Sequence, residues 1–318
     1  MSSAALAPAV TVVIPVYGGE STLESLVERL KSAFEAAAMS FEVLLVCDRP
    51  RDGSWAIASR LAAADERVGA VLLGRNYGQH PATLLGIRMA RGRTVVTMDE
   101  DLQHSPEEVP RLVAASEKSG GIVYGIASRL QHGAWRNFTS RTAKRFLARF
   151  VGFQAATDLT AFRAFPARLR DAFERYEGRN VAIDVLLSWS GAATSTMVCE
   201  HAPRQGGASG YTLRKLINYM LDLTVGYSTA PLRVASALGL LSVVVAFGVG
   251  LLIVANYLVR GSVVPGFAFL ALSIAMFAGV QLLSIGVIGE YLGRLYENSL
   301  RKPQYTIEAV VRAERSDA

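Results

Sequence analysis

What this sequence lacks narrows it quickly. Its 318 residues include two cysteines, Cys47 and Cys199, far apart in the chain. That excludes a disulfide scaffold and a cysteine-built zinc site, and leaves two reduced, half-buried thiols of a cytosolic domain as the expectation. The four histidines, His80, His104, His132 and His201, fall at no ligand spacing, which argues against an imidazole metal site. The net charge of +6 is small, and no basic stripe interleaved with aromatics occurs, so nucleic acid is not an expected partner. The first strand is expected near Val10, behind a short Ala/Ser/Pro leader with neither a basic n-region nor a signal-peptide layout.

The most telling absence is charge near the C-terminal end. Residues 234–259 contain no Asp, Glu, Lys or Arg, and neither do residues 261–289. Each run exceeds the roughly 20 apolar residues that cross a bilayer core, and Arg260 with the turn at 261–265 separates them. A hairpin buried in a soluble core is the competing reading, and two uncharged runs this long make it a poor one. Arg214, Lys215 and Arg233 precede the first run, and Arg294, Arg301 and Lys302 follow the second, whereas the loop between them carries Arg260 alone. The positive-inside rule then places both termini on the cytoplasmic side of the inner membrane, in a multi-pass protein.

Within residues 211–233, Leu213, Leu216, Ile217, Met220 and Leu221 share one helical face, with Arg214, Lys215, Asn218 and Asp222 opposite. Periodicity allows either a core-packed helix or one lying in the headgroup plane, and proximity to the spans favours the second. The expected organisation is a catalytic domain at 1–210, juxtamembrane amphipathic helices at 211–233, two transmembrane helices at 234–290 and a cytoplasmic tail at 291–318.

The N-terminal part alternates strand and helix patterns. Apolar, β-branched runs at residues 10–16, 41–46, 68–73 and 94–98 alternate with helical patterns at 23–34, 55–64 and 81–90. That pattern gives an α/β fold with a mostly parallel sheet, whose ligands bind at the carboxyl ends of the strands. Tyr17, Asp48, Asn76 and Asp99 all fall at those ends.

After the fourth strand comes Asp99-Glu100-Asp101-Leu102-Gln103. On extended backbone Asp99 and Asp101 point the same way and Glu100 the other, so two hard oxygen donors can converge on Mg²⁺ or Mn²⁺ carrying a diphosphate. A D-x-D alone is also what a solvated loop looks like, and its weight comes from the shared placement of the other residues.

Together these segments resemble the GT-A family 2 glycosyltransferases, specifically the membrane-anchored polyprenyl-phosphate glycosyltransferases. Val13-Ile14-Pro15-Val16-Tyr17-Gly18-Gly19-Glu20 looks like the opening strand and its nucleotide-contacting turn. Leu73-Gly74-Arg75-Asn76-Tyr77-Gly78-Gln79-His80 is similar to a segment of the bacterial branch. Met98 to Glu107 resembles the D-x-D-L-Q-x-x-P-E block, and Thr157-Asp158-Leu159-Thr160-Ala161-Phe162-Arg163-Ala164-Phe165 the later acidic motif. Gly289-Glu290-Tyr291-Leu292-Gly293-Arg294, followed by Arg301-Lys302-Pro303, looks like the family's exit from its last span. Two departures stand out. Cys47-Asp48-Arg49-Pro50-Arg51-Asp52-Gly53-Ser54 replaces the usual D-D-G-S-x-D, and Gly19 stands where Asn is common.

The resemblance implies inverting transfer of a sugar from a UDP- or GDP-linked donor to a polyprenyl phosphate at the cytoplasmic membrane face. It assigns Pro15, Tyr17, Glu20, Asp48, Asn76, Gln79, Asp99 and Glu100 to the nucleotide sugar. Asp101, with Asp99 and Gln103, would hold Mg²⁺ or Mn²⁺. Asp158 would act as base or orient the acceptor, where a helix cap is the plainer role for such a residue. Arg136 and Ser140 are one helical turn apart and can meet one anion. With Arg129 and Arg204 they are candidates for the acceptor phosphate, although a surface Arg is commonly just solvated. Glu290 reads as an interfacial residue rather than a proton relay. The lipid bilayer is an expected partner, and a homo-oligomer, a tetramer, is implied by resemblance. A processive polysaccharide synthase would need a Q-x-x-R-W motif that the sequence lacks. A catalytically silent scaffold binding nucleotide sugar finds support only in the altered Cys47–Pro50 turn.

Overall fold

The computed structural model describes residues 7–127, 160–178, 181–200, 228–260 and 266–313. They fall into two compact units, one built from the described residues up to 200 together with 302–313, the other from residues 228–260 and 266–301.

The first unit is an eight-stranded sheet. Its strands are β1 (Val10–Val16), β2 (Phe41–Cys47), β3 (Val68–Leu73), β4 (Thr94–Thr97), β5 (Ile122–Ala127), β6 (Arg163–Pro166), β7 (Thr194–Cys199) and β8 (Ile307–Arg312), in the order β7-β5-β6-β4-β1-β2-β3-β8. The helices are α1 (Leu23–Ala36), α2 (Ser54–Ala64), α3 (Gln79–Met89), α4 (Val109–Ser119) and the short α5 (Ile183–Ser188). Pairings β1/β2, β1/β4, β2/β3 and β5/β7 are parallel, whereas β6 runs antiparallel to both β4 and β5.

Alternation along β1 explains the layers. Val10, Val12, Ile14 and Val16 pack in one core with Leu23, Leu26, Leu30 and Phe34 of α1 and with α2 and α4. Val13 points to the other face, against Leu84 and Ile87 of α3 and Ile183, Leu186 and Leu187 of α5. With both faces covered, β1, β2 and β3 are buried along their whole length, so they read as continuous apolar runs rather than alternating ones.

The parallel core matches the sequence expectation, and two details differ from it. β4 ends at Thr97 rather than 98, and residues 100–102 form a turn. Ile307–Arg312, placed by sequence in a tail, is an edge strand antiparallel to β3, pairing Leu72 with Ala309 and Val71 with Val310. The β-branched content of Ile307, Val310 and Val311 suits that role.

The second unit holds α6 (Ala230–Arg260) and α7 (Phe267–Ser299). Pro231–Val259 and Met276–Ser299 are long and apolar enough to cross a membrane. Leu240, Phe247, Leu252 and Leu258 on α6 are exposed, as are Leu282 and Leu292 on α7, which an aqueous surface would not favour. α7 runs ten residues beyond the uncharged run, through the Glu290–Arg294 pair at i,i+4, and the Tyr291 hydroxyl donates to the Ser228 carbonyl.

Candidate active site

The loops at the carboxyl ends of β1, β2, β3 and β4 meet through side chains that accept backbone N–H groups. Glu100, in the turn after β4, accepts from the Tyr17 amide at 3.0 Å and the Gly18 amide at 2.9 Å. Burial pushes its carboxyl up against those hydrogen bonds. A Cβ on Gly19 would stand 2.7 Å from Glu100 Oε2 and 2.9 Å from Leu23 Cγ. Two amides hold that carboxylate in place, so a side chain at position 19 would have to displace it.

The β1 and β2 loops are tied by a second set. Glu20 Oε2 accepts from the Gly53 amide at 2.9 Å, and Ser54 Oγ accepts from the Gly19 amide at 3.0 Å. Asp52 accepts from the Ser54 hydroxyl at 2.5 Å and from its amide at 3.1 Å. Burial would raise the Asp52 carboxyl, but the Ser54 hydrogen bonds outweigh it and leave it lowered. Asp48, at the end of β2, is 3% exposed and accepts from the amides of Tyr77 and Gly78, both at 2.7 Å. Burial raises this carboxyl and the two amides oppose it. Asn76 Oδ1 accepts from the Gly78 amide at 3.1 Å.

Beyond β4, Gln79 Nε2 donates to Asp99 Oδ1 at 2.5 Å, and Asp101 Oδ1 accepts from the Gln103 amide at 3.2 Å. Leu102 between them is left-handed at φ +57 and 8% exposed, a conformation that costs a bulky residue about 1–3 kcal/mol. The acids are therefore presented by a tight turn rather than by strand alternation. Among the described residues no group of three or more His, Cys, Asp or Glu side chains gathers as a metal cage. Two carboxylates are nonetheless the donor set that suits Mg²⁺ or Mn²⁺, which bind one or two carboxylates and complete their shell with substrate phosphate and water.

Under this rim lies a polar cluster that the sequence reading did not identify. Arg163 on β6 is 3% exposed and pairs with Asp184 at the start of α5. Its Nε donates to Thr97 Oγ1 at 2.9 Å, the Thr97 hydroxyl donates to the Ala161 carbonyl at 2.6 Å, and the Tyr124 hydroxyl donates to Asp184 at 3.1 Å. Burial raises the Tyr124 phenol and lowers the nearby His80 imidazole. The available signal was an Arg inside the apolar run Phe162-Arg163-Ala164-Phe165. Cys47 and Cys199 are free and fully buried, and burial pushes Cys47 up to about 12.

Asp158, Arg129, Arg136, Ser140 and Arg204 lie outside the described residues. Among the described residues, β5 ends at Ala127, and β6 opens with Arg163 opposite Thr97. Both are on the rim that carries Asp99. Of the other predicted residues, Tyr17, Glu20, Asp48, Asn76, Asp99, Glu100, Asp101 and Gln103 are in the loops that meet there, Gln79 opens α3 beside them, and Pro15 is buried within β1.

Comparisons with known proteins agree with this architecture. Residues 11–176 match Glycosyl transferase family 2. The chain is 37% identical over 310 residues to the undecaprenyl-phosphate 4-deoxy-4-formamido-L-arabinose transferase of Pseudomonas aeruginosa PAO1, covering 96% of this chain and 91% of that one. It is 34% identical over 312 residues to the enzyme of the same name from Yersinia enterocolitica, covering 97% and 95%. Among solved structures, mannosyl-3-phosphoglycerate synthase from Rubrobacter xylanophilus is similar in fold, with TM-score 0.50, 18% identity and coverage of 69% of this chain and 73% of that one. The parallel core with its antiparallel β6 is thus a GT-A sheet, and the chain belongs to glycosyl transferase family 2.

Proposed function

We propose that this glycosyltransferase moves a sugar from a nucleotide-sugar donor to a polyprenyl phosphate at the cytoplasmic face of the membrane. The observation that carries the reading is near full-length similarity to undecaprenyl-phosphate sugar transferases, joined to carboxylates Asp99 and Asp101 on the rim of a GT-A sheet. The relatives' 4-deoxy-4-formamido-L-arabinose is the first sugar to test, and UDP the first nucleotide.

The lipid phosphate oxygen attacks the anomeric carbon with inversion, and the nucleoside diphosphate leaves. A phosphate monoester has its second pKa near about 6, so it is largely dianionic at neutral pH and needs orientation more than a strong base. Asp101, Asp99 and Gln103 would hold the divalent ion. When bound, such an ion neutralises charge growing on the leaving diphosphate. Gln79 fixes the Asp99 carboxylate, and the Leu102 turn fixes Asp101. Asp158 would orient the acceptor, and Arg129, Arg136, Ser140 and Arg204 would balance its phosphate. Support for that grouping comes from the resemblance of these segments to the family's acceptor side.

Support for an even number of crossings comes from β8. Since β8 lies in the same sheet as β1 to β7, a chain that enters the bilayer after β7 has to return to the same side before Ile307. A tetramer remains part of the reading by resemblance. The reading is tested by incubating purified protein with radiolabelled donors and undecaprenyl phosphate and extracting into organic solvent. A small extractable glycolipid supports it, whereas a polymer or no lipid product overturns it.

A further inference from the structure

The β8 segment does more than cover an edge. Loops after β2 and β3 flank the end of the rim farthest from β5, where the donor's nucleoside is expected, and both are tied to residues 304–308. The Gly74 amide donates to the Thr306 carbonyl at 2.9 Å, and a Cβ on Gly74 would stand 2.6 Å from Thr306 Oγ1. Tyr77 is fixed twice, by its amide on Asp48 and by its hydroxyl, which shares a hydrogen bond with Thr306 Oγ1 at 2.8 Å. Its ring lies beneath the Arg75 guanidinium, 4.7 Å from the centroid. On the β2 side, Arg49 has φ +52 and pairs with Glu308. This is the turn in which Arg49-Pro50 departs from the family pattern, and its altered residue is the one that reaches β8. At the other end of the strand, Arg312 lies 3.4 Å from the buried Glu42, whereas ahead of Thr306 the Gln304 side-chain Nε2 donates to the Gly178 carbonyl at 2.6 Å.

We propose that residues 304–308 are a positioning element of the donor-nucleotide site, with Thr306 holding Tyr77 and Glu308 holding the Arg49 turn. The proposal rests on the donor site described above. Edge pairing along β3 by itself would need only backbone hydrogen bonds. The side-chain ties go instead to the two loops beyond the strands, where a nucleotide is bound in a parallel sheet. An exposed ion pair adds little to stability, so its effect is on where Arg49 and Pro50 stand rather than on whether the domain folds.

The test uses the full-length protein in detergent. UDP and GDP are titrated in the presence of Mn²⁺, and kcat and KM are measured separately for donor and for undecaprenyl phosphate. Thr306→Val with Glu308→Gln is expected to weaken nucleoside diphosphate binding and raise donor KM about three- to tenfold, with kcat, lipid KM and thermal midpoint close to wild type. The exchange Arg49→Glu with Glu308→Arg is expected to recover most of the binding lost in Glu308→Arg alone. Unchanged donor KM, or equal losses for donor and lipid together with a lowered thermal midpoint, overturns the proposal. Asp101→Asn is run beside it. If wild type binds neither diphosphate, or Asp101→Asn binds and turns over normally, the donor-site reading itself fails.

Discussion

Gln79 Nε2 and Asp99 Oδ1, 2.5 Å apart, join the first residue of α3 to the first acid beyond β4. On the proposed reading Gln79 acts on the donor through Asp99. Gln79→Ala should lower kcat/KM for the donor roughly tenfold, about 1.4 kcal/mol, while Gln79→Glu should cost more, because it sets a carboxylate against Asp99. Steady-state kinetics with varied donor concentration checks the order of the two variants.

Asp101 is the acid expected to face the diphosphate. Asp101→Asn keeps the side chain's size and its acceptor oxygen toward the Gln103 amide, so folding should survive. Turnover should fall about a hundredfold or more. Wild-type activity in this variant, or in wild type stripped of divalent ions with EDTA, would remove the metal role assigned to Asp101.

Arg163 and Asp184 form a buried pair, with side chains 4% and 20% exposed. Asp184→Leu leaves the guanidinium buried without its partner and should destabilise the domain by about 3–5 kcal/mol. Replacing both residues by Leu should cost less than that single change. Thermal unfolding of the three proteins decides it, and a double variant worse than the single one would contradict the pairing argument.

Asp65 gives a pH dependence of known sign. Hydrogen bonds from Arg67, reinforced by Lys31, hold its folded carboxyl well below the usual carboxylate range. A depressed folded value means stability present above the unfolded pKa and lost as pH falls toward the folded one. Glu107, lowered to about 2 by Arg29, shifts the same way, though exposure mutes it. The wild-type advantage in thermal midpoint over Asp65→Asn should therefore shrink from about pH 6 to about pH 3.

Much of this fold was legible because its strands are buried on both faces. The runs at 10–16, 41–46 and 68–73 needed no partner information to be seen. Strand β8 was not legible: six residues after a helix carry no sign that Val310 pairs with Val71, some 240 positions earlier. Site residues at the strand ends, Tyr17, Asp48, Asn76 and Asp99, could be placed from topology alone. How they are held could not. The Leu102 turn depends on a φ that sequence does not advertise, and the Arg163–Asp184 pair depends on the antiparallel register of β6 against β4. Reading Asp99 and Asp101 as alternating strand positions assumed that β4 continued past Thr97, and the turn at 100–102 replaces that geometry.

The central claim is attack by a lipid monophosphate on the anomeric carbon, and the fate of the phosphorus atoms tests it most directly. Purified protein is incubated with nucleotide sugar and undecaprenyl phosphate, and the released nucleotide and the extracted lipid are both analysed by mass. Attack by the lipid phosphate yields nucleoside diphosphate in equal amount to a lipid-linked sugar carrying one phosphorus atom. Nucleoside monophosphate with a diphosphate-linked lipid, or donor consumed with no lipid product, would contradict it.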